Sequence, residues 1–180
     1  MVSEKLTVLR PLDVVILLKK LTPEGSKMNG KQLAATIGIS AAEVSLAMER
    51  NRSAQLVDNS KKLVNTMALR DFLIYGIRYC FPAQPGRIVR GFPTASSAFP
   101  MNSTIAAGEE TFVWADSGGE RRGQSIVPLY GNAVFGAKND ADFYALLAIV
   151  DSLRIGKSRE RQAAIDELDK YLKSYVESNQ

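Results

Sequence analysis

The sequence predicts a mainly α protein with a small β-hairpin wing. The predicted order is an N-terminal winged helix-turn-helix, a long Gly/Pro-rich segment and two C-terminal helices. Three observations support this: residues 31–50 have the spacing of two short helices across a tight turn, a hairpin pattern follows, and two long periodic patterns end the chain. We expect a winged domain at 1–81, an extended segment with short strands at 82–136, and a helical pair at 137–180.

Start and stop signals define the first three helices. Pro11 suits the start of a helix over 12–21, which ends before Thr22-Pro23. Gly38 lies between the next two helices, where a residue free to take positive φ is needed. Each of those helices begins with a capping-box pair, which is Asn29 with Gln32 and Ser40 with Glu43. Their predicted inner faces are Leu33, Ala34 and Ile37, and Val44, Ala47 and Met48.

A hairpin and a fourth helix follow. Apolar segments at 56–58 and 62–64 flank Asn59-Ser60, which predicts a small hairpin, and a helix-turn-helix followed by a hairpin is a winged helix. Residues 66–79 predict a helix with an apolar stripe at Leu69, Leu73, Ile77 and Cys80. Cys80 is the single cysteine, so no internal disulfide is available, and its apolar neighbours predict a buried, inert thiol.

Residues 82–136 differ in composition from the rest. They hold five of the seven prolines and eight of the thirteen glycines. Short strands are predicted at 112–116 and 125–129, joined through Gly118–Gly123. Large apolar residues argue against disorder, so we expect a segment that packs across the helices or onto a partner.

Two helices are predicted to finish the chain, over 140–155 and from 158 to about 178. Gly156 separates them. Their apolar faces either form a dimer interface or pack within the chain. These faces are Phe143, Leu146, Leu147, Val150 and Leu153 in the first helix, and Ile165, Leu168, Leu172 and Tyr175 in the second.

Composition argues against several functions. The chain has no histidine, which removes the commonest general base and metal ligand. The acidic pair Glu109-Glu110 suits a solvated loop, so we predict no enzyme, no cofactor and no metal site. The chain contains no run of eighteen apolar residues, so no membrane span is predicted. Residues 1–10 carry no cleavage-site pattern, so a cytoplasmic protein is expected.

Charge is distributed unevenly along the chain. Residues 1–91 hold 14 Lys/Arg and 7 Asp/Glu, which gives +7, whereas residues 92–180 hold 9 and 12, which gives −3. The basic half contains the helix-turn-helix. This asymmetry favours a polyanion partner for that half, against the alternative of scattered, solvated lysines.

The residues of the third helix that lie outside its predicted inner face are able to face DNA. Ser45 suits a base or a phosphate, alanine and leucine suit a thymine methyl, and Glu49 suits a cytosine amine or the surface. Arg, Asn and Gln are missing from the first two turns, so affinity must depend on phosphates. The predicted contact residues are Lys31, Ser40, Ala41, Ala42, Ser45, Leu46, Glu49, Arg50, Arg52, Lys61, Lys62, Arg87 and Arg90, the last two as an arm beside the wing.

Residues 12–64 resemble the winged helix-turn-helix of MarR-type regulators. The later sequence resembles a family of bacterial winged-helix proteins found beside nucleotidyltransferase-type genes of toxin–antitoxin or phage-defence systems. The resemblance lies in the stretches "YGIRYCFPAQPGRIVRGFPTASSAFP", "PLY" and "FYALLAIVDSLRIGKSRERQAAIDEL". Residues 90–94 and 147–161 are its most specific parts. The resemblance implies a small DNA-binding regulator or an antitoxin.

Two functions are therefore expected. The first is a repressor-like transcriptional regulator that binds double-stranded DNA as a homodimer. The second is an antitoxin or protein-interaction module, in which residues 82–136 hold a toxin or defence protein. Both functions are compatible in one chain, because antitoxins often repress their own promoters.

Overall fold

The computed structural model of the chain describes residues 7–105 and 110–179. This part is mainly helical, at 59%, with a small three-stranded sheet, which confirms the predicted predominance of helices. None of the described helices is long and apolar enough to cross a membrane. Residues 1–6, part of the stretch used to predict a cytoplasmic protein, lie outside the described residues. Glu109, predicted to lie in a solvated loop, lies outside them too.

The first three helices match their predicted signals. They are α1 (Pro11–Leu21), α2 (Gly30–Ile37) and α3 (Ala41–Ser53). Both predicted capping boxes form, on Asn29 and on Ser40, and Gly38 takes φ 74° between α2 and α3. The predicted inner faces of α2 and α3 are buried. Local chemistry therefore determines where these helices begin and end.

The fourth predicted helix is a composite. It consists of α4 (Thr66–Asp71), a π-helical turn at Phe72–Gly76, and α5 (Ile77–Cys80). Leu69, Leu73 and Ile77 are fully buried, as their spacing predicted. The prediction for Cys80 is wrong, because its thiol-bearing side chain is exposed at the end of α5. The additional residue in the π-helical turn shifts the helix face, so the stripe ends at Ile77.

Helix α1 is enclosed by the rest of the chain. Val14 to Leu18 have no exposed surface, which explains the continuous apolar run. Two charged residues of α1 are buried as well. Asp13 accepts hydrogen bonds from Arg50 of α3 at 2.8 and 2.6 Å, and Lys19 pairs with Asp140. These ion pairs attach α1 to two other elements.

The predicted hairpin is reduced to a turn over residues 56–65, which we call the wing turn. It has one antiparallel bridge, between Val57 and Val64, instead of two strands. Two backbone hydrogen bonds cross it, from the Asp58 N–H to Leu63 and from the Asn65 N–H to Leu56. The Asp58 carboxylate closes the turn, because it accepts the backbone N–H groups of Lys62 and Leu63 at 2.8 Å each. The Tyr175 hydroxyl accepts the Val64 N–H at 3.0 Å.

The sheet lies in the middle segment and not in the wing turn. Strands β1 (Ile88–Pro93), β2 (Phe112–Ala115) and β3 (Arg121–Ser125) form a closed ring. Strand β1 runs antiparallel to both partners, and β2 pairs with β3 in parallel through Phe112 and Gln124. We call this ring the barrel. The predicted strand over 112–116 is present, but the one over 125–129 is wrong, because β3 lies earlier and ends at Ser125.

Glycine makes closure of so small a barrel possible. A Cβ on Gly91 would lie 2.0 Å from the Trp114 carbonyl oxygen, and one on Gly119 would lie 2.2 Å from the Gly91 backbone. A Cβ on Gly123 would lie 2.4 Å from the Thr111 carbonyl oxygen. The glycines that suggested an extended segment are therefore required for close backbone approach.

Short helices complete the middle segment. These are a 3-10 turn at Ala95–Ser97, α6 (Met101–Thr104) and α7 (Gly131–Ala137). Residues 82–105 and 110–136 thus pack across the helices, which was one of the two expectations, and they contain short helices and strands as well as extended chain. Their apolar side chains Met101, Trp114, Leu129 and Ala133 belong to the same core cluster as α1 and α8.

The C-terminal helices match their prediction closely. They are α8 (Ala141–Ile155), capped by the Asp140 side chain and ending at Gly156, and α9 (Ser158–Ser178). Helix α8 is buried over most of its length, and α9 buries Leu168, Leu172 and Tyr175. The apolar faces that suggested a dimer interface are therefore largely occupied by packing within the chain.

A buried polar cluster joins the barrel to α8. The Asp151 carboxylate accepts hydrogen bonds from the Thr94 hydroxyl at 2.8 Å, the Trp114 indole at 2.7 Å and Arg154 at 2.8 Å. Arg154 also donates to the carbonyl oxygens of Phe81 and Val127, at 2.8 and 3.0 Å. The pKa of Asp151 is raised above its ordinary value, because the effect of burial exceeds that of these donors, which lower it.

We predict that Gly91→Ala opens the barrel. The added methyl group meets a backbone oxygen that cannot move without breaking the β1–β2 pairing, so we expect the free energy of unfolding to fall by about 3 kcal/mol. Gly131→Ala is the matched control, since a Cβ there meets nothing within 4 Å. Urea denaturation of both variants tests this, and equal stability would contradict the account of the barrel.

We also predict that Arg50→Ala destabilises the protein through Asp13. The Asp13 side chain is 0% exposed and that of Arg50 is 16% exposed, so the substitution leaves a buried carboxylate without its cation. Breaking such a pair costs about 3 kcal/mol. Arg52→Ala, on the same helix, removes an exposed guanidinium and should change the unfolding midpoint much less. Similar losses in the two variants would show that Arg50 has no special structural role.

Candidate nucleic-acid interface

The outward face of α3 consists of small side chains and one leucine. Ala41, Ala42 and Ser45 are exposed, and Leu46 is 61% exposed. Ser40 is the N-cap of α3, so its hydroxyl is used locally, accepting the Glu43 N–H at 3.1 Å and donating to the Glu43 carboxylate at 2.9 Å. The rest of the fold therefore leaves this face of α3 uncovered, and the face carries few polar groups.

Arg50 is occupied within the fold. Both ends of its guanidinium donate to Asp13, and Asp13 also accepts the Arg10 N–H at 2.8 Å. Hydrogen bonding to Asp13 raises the pKa of Arg50. The geometry explains Arg50 as the residue that fastens α3 to α1, so its predicted role as a phosphate contact loses support.

Arg52 and Lys61 share a single carboxylate. Arg52 donates to Glu49 along α3, through its Nε at 2.9 Å, and Lys61 reaches Glu49 from the wing turn, also at 2.9 Å. Hydrogen bonds from Arg52 and Lys61 lower the pKa of Glu49 to about 2. Two of the predicted phosphate contacts are therefore held by Glu49, which was itself predicted to face DNA, and the three residues together carry a charge of +1.

Two predicted cations remain available near α3. Lys31 lies in the first turn of α2 and Lys62 on the wing turn, and both are exposed. Neither forms an ion pair within residues 7–105 and 110–179. These lysines lie on the two elements that flank α3 in sequence.

Arg87 and Arg90 belong to the barrel. Arg90 lies within β1 directly opposite Arg122 of β3, and Arg87 directly precedes β1. The sequence predicted a free arm here, but both residues are held by the barrel. The sequence reading missed Arg121 and Arg122, which it treated as part of a connecting loop. Their direct repetition within a glycine-rich stretch was the available signal.

Helix α7 supports the turn between α2 and α3. The Asn132 side-chain amide donates to the Gly38 carbonyl oxygen at 3.2 Å. Gly136 packs so closely on α2 that a Cβ would lie 2.4 Å from the Thr36 carbonyl oxygen. The middle segment thus positions the helix pair, which sequence reasoning did not anticipate because these residues are about a hundred positions apart.

Comparisons with protein-family models, curated proteins and solved structures find no match to this chain. What can be stated of its class is therefore what the fold shows: a mainly helical protein that carries a small closed sheet. Among the described residues, no group of three or more Cys, Asp or Glu side chains is arranged to hold a metal ion.

We predict that Glu49 titrates far below an ordinary glutamate. Because its pKa in the folded state is about 2 against a reference of 4.5, its pairing stabilises the fold at neutral pH. That contribution is lost as the pH falls from about 4.5 towards 2. Carboxyl carbon shifts recorded by NMR over this range measure the titration. Lys61→Ala should raise the pKa of Glu49, whereas Lys62→Ala should leave it unchanged.

Proposed function

We propose that residues 7–81 form a winged helix-turn-helix that binds duplex DNA as a transcriptional regulator. The observation that carries this proposal is the uncovered outward face of α3, which follows a turn held in place by α7. In a helix-turn-helix, the N-terminal half of the second helix enters the major groove. The face of Ala41, Ala42, Ser45 and Leu46 is small enough for close approach. The resemblance of residues 12–64 to MarR-type regulators agrees with this assignment.

The charges near α3 indicate how such binding would work. Lys31 and Lys62 supply phosphate contacts, and the Glu49 cluster supplies a net charge of only +1. Small side chains on α3 read thymine methyls and groove shape more than donor and acceptor patterns. One protomer therefore binds weakly, and specificity requires two. A homodimer with two-fold symmetry places its two reading helices about 34 Å apart, one turn of duplex.

Substitution of Glu49 provides a sharp test. Glu49→Gln releases Arg52 and Lys61 for phosphates, so duplex affinity should rise and its salt dependence should steepen. Lys31→Ala with Lys62→Ala should lower affinity and flatten the slope of log K against log salt by about 2 per protomer. Electrophoretic shifts at increasing salt measure both effects.

Glu177→Gln is the matched control for this test. It changes the net charge by the same amount on exposed α9, where Glu177 lies 3.9 Å from Lys173. An equal gain from Glu177→Gln would show that only overall charge matters. Absence of duplex binding by the wild type at low salt would refute the proposed function itself.

A second candidate function is supported by exposed apolar residues on α4 and its continuation. Met67 is 79% exposed, Tyr75 68% and Tyr79 77%, and contiguous exposed apolar surface marks interaction sites. An antitoxin or other interaction module would use this face to hold a toxin or defence protein. Co-purification with a neighbouring gene product, lost in Met67→Ser and Tyr75→Ser variants, tests it. An intact complex with no duplex affinity would favour this candidate over the regulator.

A further inference from the structure

The barrel surface carries arginines that the chain does not neutralise. Arg87, Arg90, Arg121 and Arg122 are exposed, and none forms an ion pair among the described residues. Arg90 and Arg122 are direct cross-strand partners. Like charges in that position destabilise a sheet. Because side chains alternate along a strand, this pair lies on the opposite face of β1 and β3 from Arg87 and Arg121.

Two adjoining clefts combine Arg87 and Arg121, one in each, with exposed aromatic rings. One cleft, of about 520 Å³, is lined by Arg87, Phe135 and Lys138 among others. The other, of about 700 Å³, is lined by Arg121, Phe99 and again Lys138. Phe135 is 68% exposed and Phe99 is 62% exposed. Because Lys138 borders both clefts, they form one surface, which we call the barrel groove.

The acidic groups that border the groove are already paired. Asp116 accepts a hydrogen bond from Lys138 at 2.8 Å, and Asp140 pairs with Lys19. Lys138 also lies 4.0 Å from the centroid of the Phe92 ring. Glu120 is the exposed acid next to Arg121 in sequence, and it forms no ion pair within the described residues. Arg87 and Arg121 therefore outweigh the acidic charge left at this surface.

We propose that the barrel groove binds single-stranded nucleic acid. Unstacked bases pack on the Phe99 and Phe135 rings, and the phosphodiester backbone lies against Arg87 and Arg121, as in single-strand-binding surfaces generally. A duplex keeps its bases stacked on each other, so it cannot use the rings. This site is independent of the proposed duplex function, because it lies on the barrel and not on α3.

The aromatic contribution separates this proposal from simple charge attraction. Fluorescence anisotropy with the full chain and an oligothymidylate of about 12 nucleotides provides the measurement. Phe99→Ala combined with Phe135→Ala should weaken binding about tenfold or more. Binding of inorganic polyphosphate, which has no bases, should not change in this variant. Both rings are largely exposed, so the variant should fold, which circular dichroism checks.

Two matched controls complete the test. Tyr75→Ala with Tyr79→Ala removes two exposed rings elsewhere and should leave oligothymidylate binding intact. Arg87→Ala with Arg121→Ala should weaken both oligothymidylate and polyphosphate, whereas Arg159→Ala with Lys173→Ala on α9 should not.

Three results would overturn the proposal: no binding of oligothymidylate at low salt, equal loss in the two aromatic double variants, or loss caused by Lys31→Ala with Lys62→Ala instead. The last result would assign the binding to the α3 side. Binding of the single strand without any duplex binding would refute the proposed regulator and leave the barrel groove in place.

Discussion

The buried carboxylate of Asp151 determines how the middle of the chain must fold. A charge in a protein interior is tolerated only when its donors are all in place. Asp151 finds them on β2, at Thr94 just beyond β1, and one turn along its own helix at Arg154. Arg154 in turn needs carbonyl oxygens from both ends of the barrel region. The barrel therefore cannot leave α8 without stranding two buried ions, and this holds the Gly/Pro-rich segment in one arrangement.

That arrangement extends to the position of α2 and α3. Strand β3 leads through residues 126–130 into α7, and α7 contacts the α2–α3 turn through Asn132 and Gly136. On the opposite side, Arg50 holds α3 to α1, which is enclosed by α8 and α9. The outward face of α3 and the barrel groove are thus both attached to α8. The positions of both surfaces therefore depend on the same buried contacts of α8.

Local signals predicted the helices, and long-range contacts decided the rest. Capping boxes and Gly38 act within four residues, so the sequence displays them directly. The barrel depends on backbone approach between Gly91, Gly119 and Trp114, and a glycine required for closeness looks the same in sequence as one that confers flexibility. The pairing of Arg50 is not visible in the sequence for a similar reason, because its partner Asp13 lies 37 positions away. An acid within the apolar run of α1 was the one available sign that a buried cation was needed.

The charge asymmetry along the chain also changes meaning in three dimensions. The excess of positive charge in residues 1–91 pointed to the helix-turn-helix, yet much of it is used internally: Lys19 and Arg50 are paired with buried or nearly buried acids, and Glu49 holds Arg52 and Lys61. Arg87 and Arg90 belong to that half by sequence but join Arg121 and Arg122 of the acidic half on the barrel. A division at residue 91 therefore separates Arg90 from its cross-strand neighbour Arg122. Strand pairing, and not position along the chain, determines which of these positive side chains lie together.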